Sequence, residues 1–259
     1  RPPRLGRELS RLLGIAARIG REISRMTVGE RRPSEGPIVT VDGPAGSGKS
    51  STAKAVARVL GYRHLDSGAL YRALTLALLQ EGIAADRWPD VSEEFLRALD
   101  VDMRPTDEAF SVWAGSRVVD SELRTEEVTD HVSHLARLPA VRGCLLDLQR
   151  RAGASGRLVA DGRDMGTVVF PHAEVKVYLV ADVAERARRR LLQEGAPPGG
   201  EADLALQIET ITDRDRRDSE RDISPLRKAD DAHEIDTTRL DFQDQVAAVV
   251  TLVRRLTIS

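Results

Sequence analysis

The sequence reads as an α/β protein with a mostly parallel sheet covered by helices on both faces. Three observations carry that reading. Short β-branched or aliphatic runs alternate with amphipathic helical stretches along most of the chain. The first such run leads through a glycine-rich turn straight into a helix pattern. The 259 residues are 41% hydrophobic but only 3% aromatic, enough for one large aliphatic core or a core with an inserted lobe.

Residues 38–41 (IVTV) form the first strand, and residues 50–60 the helix after the turn. A short second strand is expected at 62–65, then helices at 69–81 and 93–99, the former stopped near Gly82. Residues 101–105, 109–114 and 117–119 read as three short strands of a small antiparallel appendage. Helices follow at 125–135 and 140–151, divided by Pro139. The runs at 158–161 and 175–181 are buried strands, the second leading into a helix at 182–194. Residues 195–200 are a Gly/Pro break. Residues 204–214 are helical, with a dense charged stretch to Arg221. A last strand at 233–236 and an amphipathic helix at 241–256 close the chain.

Charge is nearly balanced, at a formal net of −2 with 31% charged residues. That argues against a basic nucleic-acid coat and against an acidic disordered chain. The balance is uneven along the chain: residues 1–35 hold nine Arg and four Glu, a net of +5, leaving −7 for the rest. In residues 1–26, Leu5, Leu9, Leu12, Ala16, Ile19 and Ile23 recur on one helical face, and 29–37 reads as a linker. The stripe suits packing on this or another protein surface, a remnant of an upstream domain, or contact with a membrane or nucleic acid. Arg1 in place of Met points to a processed, trimmed or excised chain. The single cysteine, Cys144, excludes an internal disulfide framework, and the five histidines lack zinc-site spacing. No apolar run is long enough to span a bilayer, so a cytoplasmic setting without a membrane partner is expected.

The strongest motif is GPAGSGKS at residues 43–50, between the first strand and its helix. Gly43, Pro44, Ala45, Gly46, Ser47, Gly48, Lys49, Ser50 and Ser51 are the expected ATP-binding residues. Glycines let the backbone wrap closely around phosphates, and the amides and the helix N-terminus favour their charge. Lys49 is expected to neutralise the β and γ phosphates, and Ser50 to reach Mg²⁺. Asp161, at the end of the next core strand, is a candidate to organise that metal through water, or simply to hold the neighbouring turn. Asp42 is expected to fix the glycine-rich loop.

Three clusters interleave Arg with Asp or Ser: DSGALYR (66–72), GRDMGT (162–167) and DRDRRDSERD (213–222). Nucleic-acid backbones attract a basic surplus, whereas mixed clusters suit a small charged metabolite. Arg forks bind phosphate while carboxylates hold the forks or meet sugar and base. The charged run taken alone is a solvated helix face. After a phosphate loop and a Gly/Pro break, it reads as an arginine-loaded lid over about residues 195–224 that excludes water.

The stretches VDGPAGSGKS, HLDSGALYR, ELRTEEVTDHVSHLARLPAVR, VADGRDMGTVVFP and RDRRDSERDISPL resemble the bacterial cytidylate kinase (CMP/dCMP kinase) family, in order over about residues 36–258. The resemblance implies a P-loop NMP-kinase core, an inserted monophosphate-binding lobe at about 84–152, and a helical lid. It implies transfer of a phosphoryl group from ATP to CMP or dCMP, with Mg²⁺, in a catalytic domain that is monomeric and takes no nucleic acid. By position, Ser67, Arg72 and Arg163 would meet the monophosphate and its sugar, and Arg124 would support that lobe. Ser133, Arg142 and Asp164 would read the cytosine edge. Arg214, Asp218 and Arg221 match the lid pattern, with Asp218 accepting from a sugar hydroxyl. Lys49, Arg163, Arg214 and Arg217 are the expected catalytic cations, Arg217 for the transferring group. Plainer roles stand beside these: Ser67 as a helix cap, Arg124 and Arg142 as surface ion-pair partners, Arg163 and Asp164 as a mutual pair. The insert with Ser133 and Arg142 sets the chain apart from shikimate and adenylate kinases. A nucleotide-dependent RNA-binding module is the rival from another class. The extension at 1–35 and the Gly/Pro composition at 195–203 depart from the family pattern.

Overall fold

The computed structural model describes residues 36–193, 195 and 200–257. The stripe at 1–26, its linker and most of the Gly/Pro break lie outside them. Five parallel strands form the central sheet: β1 (Ile38–Asp42), β2 (Arg63–Asp66), β6 (Leu158–Gly162), β7 (Val175–Val180) and β8 (His233–Asp236), in the order β2-β6-β1-β7-β8. The appendage is an antiparallel meander of β3 (Val101–Pro105), β4 (Phe110–Ala114) and β5 (Arg117–Val118).

Strand alternation assigns the two faces. Val39, Val41, Val159, Val177 and Leu179 pack against helix α1 (Lys49–Leu60) and the closing helix α8 (Phe242–Thr257). Leu158 and Ala160 face the other way, against Met165, Val169 and Phe170. Asp161 therefore emerges on the α1 face at the carboxyl end of β6. Ligands of open parallel sheets bind at that end.

Helix α2 (Ser67–Gln80) is shared property. Its Leu70, Leu74 and Leu78 are completely buried against Trp88, Leu96, Leu135 and Leu145 of the insert. At about 2 kcal/mol per buried leucine, this joint core ties the insert firmly to the sheet layer. The insert contributes α3 (Glu93–Ala98), α4 (Glu126–Leu135) and α5 (Pro139–Ala152). Helices α3 and α4 start at side-chain caps: the Ser92 and Thr125 hydroxyls accept the Phe95 and Val128 N–H groups at 3.1 and 3.4 Å. Helices α6 (Val183–Gln193) and α7 (Glu201–Ser219) pack together, with Ala45 of the glycine-rich loop against Ala187 and Ile211.

Three local features depart from expectation. The charged stretch continues the helix, so α7 runs unbroken to Ser219. The buried Ile211 and Asp218 hold its inner face, and Arg216 pairs with Asp213 one turn away at 3.0 Å. A 3₁₀ turn at Ala85–Asp90 buries Trp88, whose indole N–H donates to the Ile83 carbonyl at 2.9 Å. A π-helical turn at Met165–Val169 follows β6. Asp42 accounts for this turn: its carboxylate accepts the Met165 and Gly166 N–H groups at 2.9 and 2.8 Å. Asp42 therefore fixes the turn that directly follows Arg163 and Asp164, and the expectation that it fixes the glycine-rich loop is corrected. Burial pushes its carboxyl up to about 7 despite the two N–H donors.

Candidate active site

The carboxyl ends of β1, β2 and β6 open into a cleft of about 1090 Å³, roofed by α7 and flanked by the insert. Of the residues singled out in the sequence, Ala45, Gly46, Gly48, Lys49, Ser50, Ser51, Ser67, Arg72, Arg124, Ser133, Arg142, Asp161, Arg163, Asp164, Arg214, Arg217, Asp218 and Arg221 all line it. Gly43, Pro44 and Ser47 do not, and form the back of the loop. A Cβ on Gly43 would run into the Leu179 carbonyl, so the loop can lie against β7 only with glycine there. The Pro44 carbonyl accepts from Lys49 Nζ at 3.1 Å.

At the mouth of α1, the Ser50 hydroxyl donates to Asp161 Oδ2, and His64 Nε2 lies 2.7 Å from Asp161 Oδ1. Burial would raise the Asp161 carboxyl. The His64 hydrogen bond and charge, the Ser50 hydroxyl and Lys49 outweigh it and hold the group below the usual carboxylate range. Lys49 goes the other way: burial first, then the Arg163 charge, push its ammonium down to about 7.

A second group joins the β6 turn to α7. Asp218, 2% exposed, accepts from Arg163 Nε at 2.8 Å with one oxygen and from Arg221 with the other. Burial opposes its charge, but Arg163 and Arg221 hold its carboxyl below the usual range. A third group faces the insert: Arg142 donates to Asp164 through Nη2 and to the Ala136 carbonyl at 3.0 Å, with its guanidinium 5.4 Å from the Tyr71 ring centre. The partners thus differ from the plainer reading. Arg163 pairs with Asp218 rather than Asp164, and Arg142 is buried rather than on the surface. Helix α2 begins at Ser67 itself, so Ser67 is its first residue and not its cap. Arg124 donates to Asp66 at 3.0 Å and links the insert to the start of α2.

The cations outnumber their partners. Arg72 Nη1 and Arg214 Nε are buried and find no hydrogen-bond partner among the described residues. Burial lowers Arg72 to about 10 and Arg214 to about 9, with Arg163 adding to both. Arg217 sits farther out, its Nε donating to the Asp213 carbonyl at 3.2 Å and Nη1 lying 3.5 Å from His134 Nε2. Among the described residues no group of three or more His, Cys, Asp or Glu could hold a metal alone. The Ser50 hydroxyl and Asp161 carboxylate are hard oxygen donors, and fit Mg²⁺ that takes the rest of its shell from water and phosphates.

A model of the cytidylate kinase family matches residues 39–255. The chain belongs to the cytidylate kinase family. It is 44% identical over 218 residues to a cytidylate kinase of Exiguobacterium sp. strain AT1b, covering 84% of this chain and 96% of that protein. A cytidylate kinase of Exiguobacterium sibiricum is 46% identical over 213 residues, 82% of this chain and 94% of its own. A bifunctional pantoate ligase/cytidylate kinase of Synechococcus elongatus is 45% identical over 250 residues, 94% of this chain and 46% of that protein. That match is longer than residues 36–259 can supply, so it reaches into residues 1–35. No helix among the described residues is long and apolar enough to cross a membrane.

Several cleft residues of this family member escaped the sequence reading. His64, Lys54, Arg189 and Gln193 line the cleft. Asp66, quoted only as part of its motif, receives Arg124, and its carboxyl is raised by burial and by the nearby Asp161 charge. Asp215 accepts the Ala45 N–H at 2.8 Å, so this amide of the expected ATP loop is taken by α7. A pattern did mark Asp215: Leu204, Ile208 and Ile211 form a helical stripe against Ala45 and Ala187, and Asp215 is its next position.

Proposed function

We propose that the chain transfers the γ-phosphoryl group of ATP to CMP or dCMP, giving ADP and CDP or dCDP. The observation that carries the reading is the buried cationic cluster of Lys49, Arg72, Arg163 and Arg214 between the phosphate loop and the insert, in a chain of this family. Arg72 and Arg214 have buried donors that phosphate oxygens can satisfy. A phosphomonoester is largely ionised at neutral pH, so the attacking oxygen of CMP needs no strong base. The protein must instead align two phosphates, offset their repulsion and exclude water. The attacking oxygen bonds to the γ-phosphorus as its bond to the β–γ bridging oxygen breaks, and the electron pair leaves with ADP.

Residues 43–51 and Lys49 are assigned to ATP, Ser67, Arg72, Arg124 and Arg163 to the monophosphate, and Arg214, Arg217, Asp218 and Arg221 to the lid side. Ser50 and Asp161 would hold Mg²⁺, which when bound supplies charge neutralisation on the ATP phosphates. Residues 36–258 are assigned as the kinase domain, with 1–35 an extension outside its chemistry.

The test is ADP release with CMP, dCMP, UMP, AMP and shikimate as acceptors. CMP or dCMP should give the highest kcat/KM. Turnover with neither above a Lys49→Ala control would sink the assignment.

Asp164 and Arg142 present an acceptor beside a donor, matching the amino group and ring nitrogen of cytosine. Uracil reverses that pattern. Asp164→Asn keeps one acceptor oxygen but removes the charge, so the CMP-to-UMP ratio of kcat/KM is expected to fall by about 10-fold or more. Equal losses for CMP and UMP would make Asp164 a structural group only.

The depressed Lys49 predicts proton-linked nucleotide binding. Phosphates bound beside Lys49 favour its charged form, so ATP binding at about pH 8 is expected to take up a fraction of a proton. Calorimetry in two buffers of different ionisation enthalpy measures that uptake, and Lys49→Arg, always charged, should abolish it. Zero uptake in the native protein would contradict the assignment of Lys49.

A further inference from the structure

Asp215 takes no part in the chemistry assigned above, yet it makes a polar contact between the lid helix and the phosphate loop. It continues the apolar stripe of Leu204, Ile208 and Ile211, so the face of α7 that packs on Ala45 and Ala187 ends in a carboxylate. One of its oxygens accepts the Ala45 N–H at 2.8 Å. The other is paired with Arg186 of α6. The same guanidinium donates through Nη1 to the Ala45 carbonyl at 2.9 Å, and through Nε to the Ala181 carbonyl at 3.0 Å. Both polar atoms of one loop residue are thus held by an ion pair that spans two lid-side helices. The contact is close: a Cβ on Gly46 would lie 3.0 Å from the Arg186 Cβ and from its carbonyl oxygen. A charged pair binding both ends of one residue fixes its peptide planes as well as its distance.

The neighbours of Asp215 on α7 give the bracket its consequence. Arg214 immediately precedes it and carries a buried Nε without a hydrogen-bond partner among the described residues, and Asp218, one turn on, receives Arg163. The depth and rotation of α7 at Asp215 therefore decide where Arg214 stands relative to Lys49. We propose that Asp215 and Arg186 are positioning residues that lock the lid helix to the phosphate loop and so set Arg214 beside the transferring phosphoryl group. The proposal rests on the phosphoryl-transfer reading.

The experiment compares native protein, Asp215→Ala, Asp215→Asn, Arg214→Ala and the Arg214→Ala/Asp215→Ala double variant, by ADP release with ATP and CMP and by thermal melting. Misplacing a catalytic group by about 1 Å costs about 100-fold. Asp215→Ala is thus expected to lower kcat by about 10–100-fold while CMP affinity changes by less than about 3-fold. Asp215→Asn, which keeps an acceptor for Ala45 but loses the charge, should fall between. If Asp215 acts through Arg214, adding Asp215→Ala to Arg214→Ala costs less than about 3-fold. An equal loss in both backgrounds, or a single variant within about 2-fold of native kcat, would overturn the proposal. If Asp215→Ala does not fold, Asp215→Asn takes its place in the cycle. Hydrogen exchange gives a readout independent of turnover: amides of the 43–49 loop should exchange faster in the Asp215 variant, and unchanged exchange would also overturn the bracket. A native protein without CMP-dependent turnover defeats the reading of function, and the exchange result still decides the bracket.

Discussion

Lys49→Met is expected to lower CMP-dependent kcat by about 100–1000-fold while raising stability at and below neutral pH. Lys49 is 7% exposed, and its ammonium donates to a carbonyl of the loop it belongs to. Lys49 stands at the turn into α1 within reach of the Arg163 and Arg214 charges, and in the variant charge developing on the transferring phosphoryl group and the ADP oxygens loses this one of its cationic partners. The stability gain has a defined sign and window. The folded protein lowers the Lys49 ammonium from 10.5 to about 7. Below about 7 the lysine is protonated in both states, and the cost of burying its charge is full. Between about 7 and 10.5 the unfolded chain binds the extra proton, so native stability rises with pH and the advantage of Met shrinks. Urea melts at about pH 6 and about pH 9 should show the variant ahead by more at the lower pH. A variant equal to native protein in kcat would remove Lys49 from the chemistry.

Arg163→Ala carries the second large effect, a fall in kcat of about 100-fold or more with the fold retained. Arg163 is the cation between the three groups of the cleft. It donates to Asp218 at 2.8 Å, and its charge is felt by Lys49, Arg72 and Arg214. The fold survives because Asp218 still has Arg221 on its other oxygen. Arg163→Lys should recover only part of the loss, since an ammonium cannot offer the flat fork that meets a carboxylate and a phosphate together. Steady-state kinetics with melting curves separates the outcomes. An Arg163→Ala enzyme within about 5-fold of native kcat would reduce Arg163 to a strut for Asp218.

What the sequence revealed of this site was local. GPAGSGKS declares itself because the strand before it, the turn and the helix after it are contiguous, and each has its own period or residue preference. The Arg214–Arg221 run shows as a mixed-charge cluster, whereas Ser133 and Arg142 stand out only through the family resemblance. What periodicity does not encode is which patterns meet. Ala45 and Asp215 are 170 residues apart, Ser50 and Asp161 are 111 apart, and Asp42 and Gly166 are 124 apart. Asp42 is such a case: it adjoins the glycine-rich loop in sequence, but alternation along β1 turns its carboxylate to the opposite sheet face, where the π-helical turn lies. The apolar stripe of the helix expected at 204–214 stops at Ile211, and the charged stretch that follows reads by itself as a solvated helix face. The stripe in fact passes into Asp215 and Asp218, carboxylates satisfied by arginines from elsewhere in the chain. A buried ion pair continues a packed face as a leucine would, and hydrophobicity alone does not register it.

The most direct measurement follows the γ-phosphoryl group itself, with ATP labelled there and incubated with the protein, Mg²⁺ and CMP. The label should appear in CDP, one CDP for each ADP formed, with little in inorganic phosphate. Label released as inorganic phosphate at the same rate with or without CMP would contradict the assignment and leave the protein an ATP hydrolase.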